Sequence, residues 1–251
     1  MNISLNRAAI AQLCTTANKH RNLLNIAKCA NQAKEQCASM LFLPECCGFL
    51  GSSAQETLTN AEEIINGSPL IDQDSRSASA LSTTLECVLE TGNDLGISNQ
   101  DILENSQVSI VKGLQTIAMK SDMWISGTLH EQGAPASPSA AEKRPRVYNT
   151  HIIVDNHGQI VSKYRKIHLF DVSIPSQGVN LCESATTAPG STLVVCDSPI
   201  GKLGLSTCYD LRFAEMYRAL VEEGGADVIL IPSAFTVPTG KAHWHTLLRG
   251  E

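Results

Sequence analysis

Met40-Leu41-Phe42-Leu43 is apolar at every position and stops abruptly at Pro44-Glu45. A strand with one face in water alternates polar and apolar residues. A short run apolar on both parities must therefore be covered on both faces. Upstream, Leu23, Ile26, Ala27, Ala30, Ala33 and Cys37 recur at three-to-four spacing and predict a helix. Before them, residues 7–13 read as a short buried strand. Strand, helix and doubly covered strand in succession restrict the chain to an α/β layered fold.

The rest of the chain continues this alternation. Residues 67–104 are rich in Ser, Thr, Asp and Asn, with a weak helical pattern near Ala80 to Leu89, and read as a polar insertion. Ile110, Val111, Leu114, Ile117 and Ala118 predict a helix, and Met123 to Thr128 a strand. Residues 133–146 read as a loop. A hairpin is expected from Val147 to Val154 and Gln159 to Tyr164, around Asp155-Asn156-His157-Gly158. A second pairs Thr192 to Cys196 with Lys202 to Ser206. After Cys208, a helix is expected with Phe213, Met216, Tyr217, Leu220 and Val221 on one face. Asp227 to Ile231 reads as a buried strand ended by Pro232.

Composition narrows the function classes. Lys and Arg total 19 and are scattered, and the net charge is −6, so no basic face for nucleic acid or an anionic membrane is expected. No apolar run reaches the ~18 to 20 residues of a membrane span. The nine cysteines include no Cys-x-x-Cys, which favours a reduced, cytoplasmic protein without structural disulfides. The first strand begins so early that no signal or transit peptide is expected ahead of it.

Three reactive side chains stand just past the ends of predicted strands: Glu45, Lys166 and Cys208. Loops at strand ends of α/β folds commonly carry sites. A thiol, a carboxylate and an ammonium meet the needs of covalent acyl transfer. The thiol attacks a carbonyl, the carboxylate takes and returns the proton, and the fixed positive charge stabilises the oxyanion. In water the thiol-to-carboxylate proton transfer costs about 5 to 6 kcal/mol, because the reference pKa values differ by ~4 units. The pair works near neutral pH only if its surroundings reduce that gap.

These residues lie in longer motifs: Phe42-Leu43-Pro44-Glu45, Tyr164-Arg165-Lys166-Ile167-His168-Leu169-Phe170-Asp171 and Cys208-Tyr209-Asp210-Leu211-Arg212-Phe213-Ala214-Glu215. Tyr148-Asn149, Pro232-Ser233-Ala234-Phe235 and Thr239-Gly240-Lys241-Ala242-His243-Trp244 add to them. In these motifs, over nearly its whole length, the chain resembles the nitrilase superfamily of carbon–nitrogen hydrolases. The resemblance implies a four-layer α-β-β-α sandwich, formed here as one domain over residues 5–251, and an amidase working without metal or organic cofactor. It implies Glu45 as general base, Lys166 as oxyanion stabiliser and Cys208 as acylated nucleophile. Glu183 would be the supporting second glutamate, and the Tyr209 N–H would complete the oxyanion hole. Asp210 and Arg212 are expected to brace the turn as an ion pair. The wording of Ile174-Pro175-Ser176-Gln177-Gly178 and Cys182-Glu183-Ser184 is closer to the deaminated glutathione amidase branch than to the ω-amidase branch. The partner expected is a small-molecule amide. Members of the superfamily continue beyond the position of Glu251 with further helix and strands that complete the second sheet. The resemblance thus implies a C-terminally truncated chain, which would form a homodimer if full length.

Other readings compete. His168, two residues after Lys166, admits a Cys–His hydrolase, against its reading as a hydrogen-bonded core histidine. A non-catalytic scaffold is a further alternative. His243-Trp244-His245 falls at a helix start, and His130-Glu131 lacks a second histidine, so neither implies a metal. Cys46 and Cys47 are expected to be packing residues.

Overall fold

The computed structural model describes residues 6–65, 84–85, 88–90, 104–134, 145–174 and 179–250. Most of the polar insertion, most of the 133–146 loop and residues 175–178 therefore lie outside the described residues.

Five strands form the first sheet, in chain order: β1 (Arg7–Ile10), β2 (Ala38–Phe42), β3 (Trp124–Ala134), β4 (Arg146–Val154) and β5 (Ile160–Arg165). The first three are parallel, and β4 and β5 add antiparallel through the expected hairpin. Its turn closes with the Gly158 N–H donating to the Asp155 carbonyl, and Gly158 takes φ +76°, where a side chain would be strained. Strand alternation then sorts the two faces. Leu41, Ile125, Ile152 and Val154 enter one core, while Met40, Ile153 and Tyr164 enter another.

The first core is closed by helices α1 (Lys19–Glu35) and α3 (Ile110–Ser121), with the short α2 (Ala54–Asn60) between them in sequence. Asn18 and Ser109 cap α1 and α3, their side chains accepting from the Arg21 and Lys112 N–H groups. The predicted stripes are the buried faces, through Leu23, Ile26, Ala27 and Ala30 of α1 and Leu114 and Ile117 of α3, but Cys37, the last residue of the first stripe, lies past the end of α1 and is exposed. The weak pattern near residues 80–89 is helical where described, and Leu85 and Val88 are fully buried in this core. The helices cross closely at Gly113, where an added Cβ would lie 2.4 Å from Leu23 Cδ1.

The second core lies between this sheet and a three-stranded one, β8 (Val195–Cys196), β9 (Leu203–Leu205) and β10 (Val228–Leu230), ordered β10-β9-β8. Leu203, Leu205 and Leu230 meet Met40, Ile153 and Tyr164 there. Helix α4 (Ala214–Glu222) packs outside: a Cβ on Gly204 would meet Leu220 and Ala226. The layers run helix, sheet, sheet, helix, as expected. Helix α5 (Val237–Arg249) follows, capped by Thr236, with no buried residue.

Three further expectations differ. Strand β1 is shorter than 7–13 and exposed, because among the described residues it pairs with β2 alone, at the sheet edge, and Ile10 is 85% exposed. Val221 turns away from the face that buries Met216 and Leu220, and is 48% exposed. An unpredicted ribbon, β6 (Asp171–Ile174) with β7 (Val179–Cys182), folds the chain back on itself after β5.

His151 ties the two sheets. Its Nε2 lies 2.7 Å from Ser126 Oγ on β3 and its Nδ1 3.0 Å from the Ser206 carbonyl just past β9. Burial pulls its pKa down from 6.5 to about 4, so it is neutral at pH 7. The unfolded chain binds this proton more readily, so stability falls as pH drops through the window from 6.5 to 4. That loss is expected to be about 3 kcal/mol larger in the wild type than in His151→Gln, as read by urea denaturation at stepped pH. Gly113→Ala is expected to lose about 1 to 3 kcal/mol despite alanine's better helix propensity, checked by the same method at pH 7.

Candidate active site

Glu45 sits in the turn after β2. The N–H groups of Leu43 and Cys47 donate to carbonyls of Ser126 and Thr128 on β3, and that of Cys46 to Thr128 Oγ1. Cys46, at φ +53°, makes the sharp bend. The Glu45 side chain is buried. Its Oε1 accepts from Asn149 Nδ2 at 2.9 Å and Lys166 Nζ at 3.2 Å, and its Oε2 from the Ala234 N–H at 2.9 Å. Asn149 serves both partners, because its carbonyl accepts from the Lys166 N–H at 2.8 Å.

Lys166, 2% exposed, follows β5 directly. The β6–β7 ribbon returns the chain so that Glu183, opening a short 3-10 turn (Glu183–Ala185), meets it. Lys166 Nζ donates to Glu183 Oε1 and Oε2 at 3.1 and 3.0 Å, and the Phe170 N–H donates to Oε2 at 2.7 Å. Burial pulls the lysine pKa down, but the Glu45 and Glu183 carboxylates outweigh it and hold it above the ordinary value. The ammonium is therefore permanently charged. A neighbouring cluster stiffens the same strand end: buried Glu131 on β3 accepts from Lys163 and Arg165 of β5 and from Thr150 of β4.

Cys208 opens a 3-10 turn (Cys208–Arg212) past β9 and takes φ +49°, left-handed for a residue that is not glycine. Its N–H donates to the Pro232 carbonyl at 2.9 Å. Burial pushes its thiol pKa up, and the nearby Glu45 pushes the same way; Lys166 and the Ala234 N–H only partly oppose them. The site at rest thus holds a protonated thiol beside the Glu45–Lys166 ion pair. The Tyr209 ring meets Phe170 and Phe213 edge-on, with centroids 5.0 and 5.9 Å away.

All five residues singled out from the sequence gather here, although Glu183 comes from a ribbon that periodicity did not reveal. Asn149 and Ala234 were visible only as motif members, and nothing local in sequence marks their grip on Glu45. The expected Asp210–Arg212 ion pair is not formed. The Asp210 oxygens are instead taken by Tyr164, Thr207 and His168, which lie closer in the fold than the exposed Arg212. His168 is hydrogen-bonded to Asp210, as one of its two readings expects, but it is half-buried rather than in a core, with its ring stacked on Phe213 at 3.6 Å. Cys46 and Cys47 are buried, and burial pushes the Cys47 thiol up to about 12. Among the described residues, no three His, Cys, Asp or Glu side chains converge as a metal site would require. Nor does any described helix have the length and apolarity to cross a membrane.

A fold of this layering, with these strand-end groups, defines a class. The family model for carbon-nitrogen hydrolases matches residues 7–251, and the chain belongs to that family, within the nitrilase superfamily. It is 35% identical over 250 residues to deaminated glutathione amidase of Dictyostelium discoideum, covering 98% of this chain and 70% of that one. It is 32% identical over 245 residues to the human protein of the same name, covering 97% of this chain and 60% of that one. The crystal structure of the C. elegans NitFhit protein superposes with a TM-score of 0.67 at 30% identity, covering 97% of this chain and 47% of that one. The chain thus spans well under the full length of these relatives.

The raised thiol pKa gives a direct test. Iodoacetamide labelling of Cys208, followed by peptide mapping, is expected to keep accelerating past pH 9. A plateau near pH 7 would mean a preformed thiolate.

Proposed function

We propose that this protein is an amidase that hydrolyses deaminated glutathione to 2-oxoglutarate and cysteinylglycine through a thioester on Cys208. The observation that carries the chemistry is the place of Glu45, which pairs with the Lys166 ammonium at 3.2 Å and lies close enough to the Cys208 thiol to raise its pKa. Glu45 would take the thiol proton as sulfur attacks the amide carbon, so no free thiolate need form in advance. The oxyanion that develops would draw on the Lys166 charge and the Tyr209 N–H. Glu45 then returns the proton to the leaving nitrogen, the C–N bond breaks, and a thioester remains. Water, deprotonated by Glu45, releases the carboxylic acid and restores the thiol. Glu183 would hold Lys166 in place and share its charge. The choice of substrate is supported by the names of the relatives and by the Cys182-Glu183-Ser184 tract.

The purified protein should release cysteinylglycine from deaminated glutathione, with an acylated intermediate visible by intact mass and absent from Cys208→Ala. Lys166→Ala is expected to lower kcat about 10²- to 10³-fold, and His168→Ala far less. The reverse order would indicate a Cys–His hydrolase. Ammonia released from 2-oxoglutaramate instead would indicate an ω-amidase, and no turnover with no labelling a scaffold.

A further inference from the structure

Asp210 lies two residues after Cys208, is fully buried and has both oxygens doubly engaged. Its Oδ2 accepts from the Tyr164 hydroxyl at 2.6 Å and from the Thr207 N–H at 2.8 Å. Its Oδ1 accepts from the His168 N–H at 3.0 Å and lies 2.7 Å from His168 Nδ1. The Tyr164 hydroxyl in turn accepts from the Ile167 N–H at 3.1 Å. These contacts fall on residues 164, 167 and 168, which flank Lys166, and on residue 207, which precedes Cys208. An ionised carboxylate only accepts, so Asp suits a position surrounded by donors.

The turn needs such fixing. A non-glycine residue at positive φ is strained and persists only where its surroundings impose it. We infer that Asp210 is a positioning residue that fixes the Cys208 thiol against the Lys166 ammonium, tying the turn that carries one to the strand end that carries the other. The inference rests on Cys208 being the nucleophile. Asp210 acts through Thr207, Tyr164 and His168 and touches no reacting atom. Reaction geometry is steeply sensitive, since a displacement of about 1 Å can cost ~10²-fold in rate.

The test uses Asp210→Asn, which places a donor among donors, and Tyr164→Phe, which removes one hydroxyl and keeps the ring. Cys208→Ala is the control. Each is assayed on the amide that the wild type hydrolyses, with thermal melts and a pH profile of Cys208 alkylation in which exposed Cys182 is the reference thiol. Asp210→Asn should lower kcat about 30- to 300-fold and Tyr164→Phe about 3- to 10-fold, with KM changed less than threefold. In both variants the onset of Cys208 alkylation should move down by about one pH unit, towards that of an ordinary thiol, while Cys182 is unmoved. A purely structural role would lower the melting temperature and leave kcat per folded molecule and the alkylation profile unchanged. That result overturns the inference. If Asp210→Asn does not fold, Tyr164→Phe decides alone. Full turnover by Cys208→Ala would sink the nucleophile reading itself, a different failure from loss in Cys208→Ala beside unaltered Asp210→Asn.

Discussion

The rest of the site depends on one buried charge. Removing a lone ammonium from water costs several kcal/mol even after relaxation, so Lys166 can be buried only with matched anions around it. Glu45 and Glu183 are those anions, at 3.2 and 3.0 Å, and they arrive from segments far apart in sequence. Each carboxylate is held by further donors: Glu45 by Asn149 and Ala234, Glu183 by the Phe170 N–H. The compensation of one charge therefore fixes the turn after β2, the end of β5 and the return of the β6–β7 ribbon together. Losing either carboxylate would leave a poorly compensated ion in the interior, a larger penalty than the loss of a surface pair.

The two-sheet architecture supplies the remaining group. Lys166 and Glu45 belong to the first sheet and Cys208 to the second, so the thiol reaches the charge pair only because the inner faces interlock. Tyr164 shows how this works: its ring packs with Met216 and Leu205 in the inter-sheet core, and its hydroxyl bonds to Asp210. His151 makes a second tie, from β3 and β4 to Ser206. Apolar burial brings the sheets together, and these polar ties set their register.

Much of this was legible in the sequence. The doubly apolar strand at Met40–Leu43, the stripes of α1 and α3 and the hairpin at Asp155–Gly158 depend on local periodicity, which survives in any context. Glu45, Lys166 and Cys208 were legible because each stands just past a predicted strand, inside a longer motif. What the sequence hid was non-local. Arg7–Ile10 has strand composition, yet its exposure follows from its place at the sheet edge. Val221 lies one residue off the buried stripe, a distinction of helical phase that pattern alone does not resolve. The Asp210–Arg212 pairing expected from proximity in sequence gave way to partners that only the fold brings near. Asn149 and Ala234 are unremarkable in isolation, and their importance lies in which carboxylate they face.

The bond between the Ala234 N–H and Glu45 spans 189 residues, and those joining Glu45 to Asn149 and Lys166 span 104 and 121. Contacts of such separation must await the closure of long loops and tend to form late. During synthesis the glutamate leaves the ribosome early, whereas the amide that orients its second oxygen emerges only after β10. Until then the carboxylate lacks its final donor and the thiol its neighbour. The fold thus delays assembly of the reactive centre until β10 has docked, and a half-made chain carries these reactive groups apart.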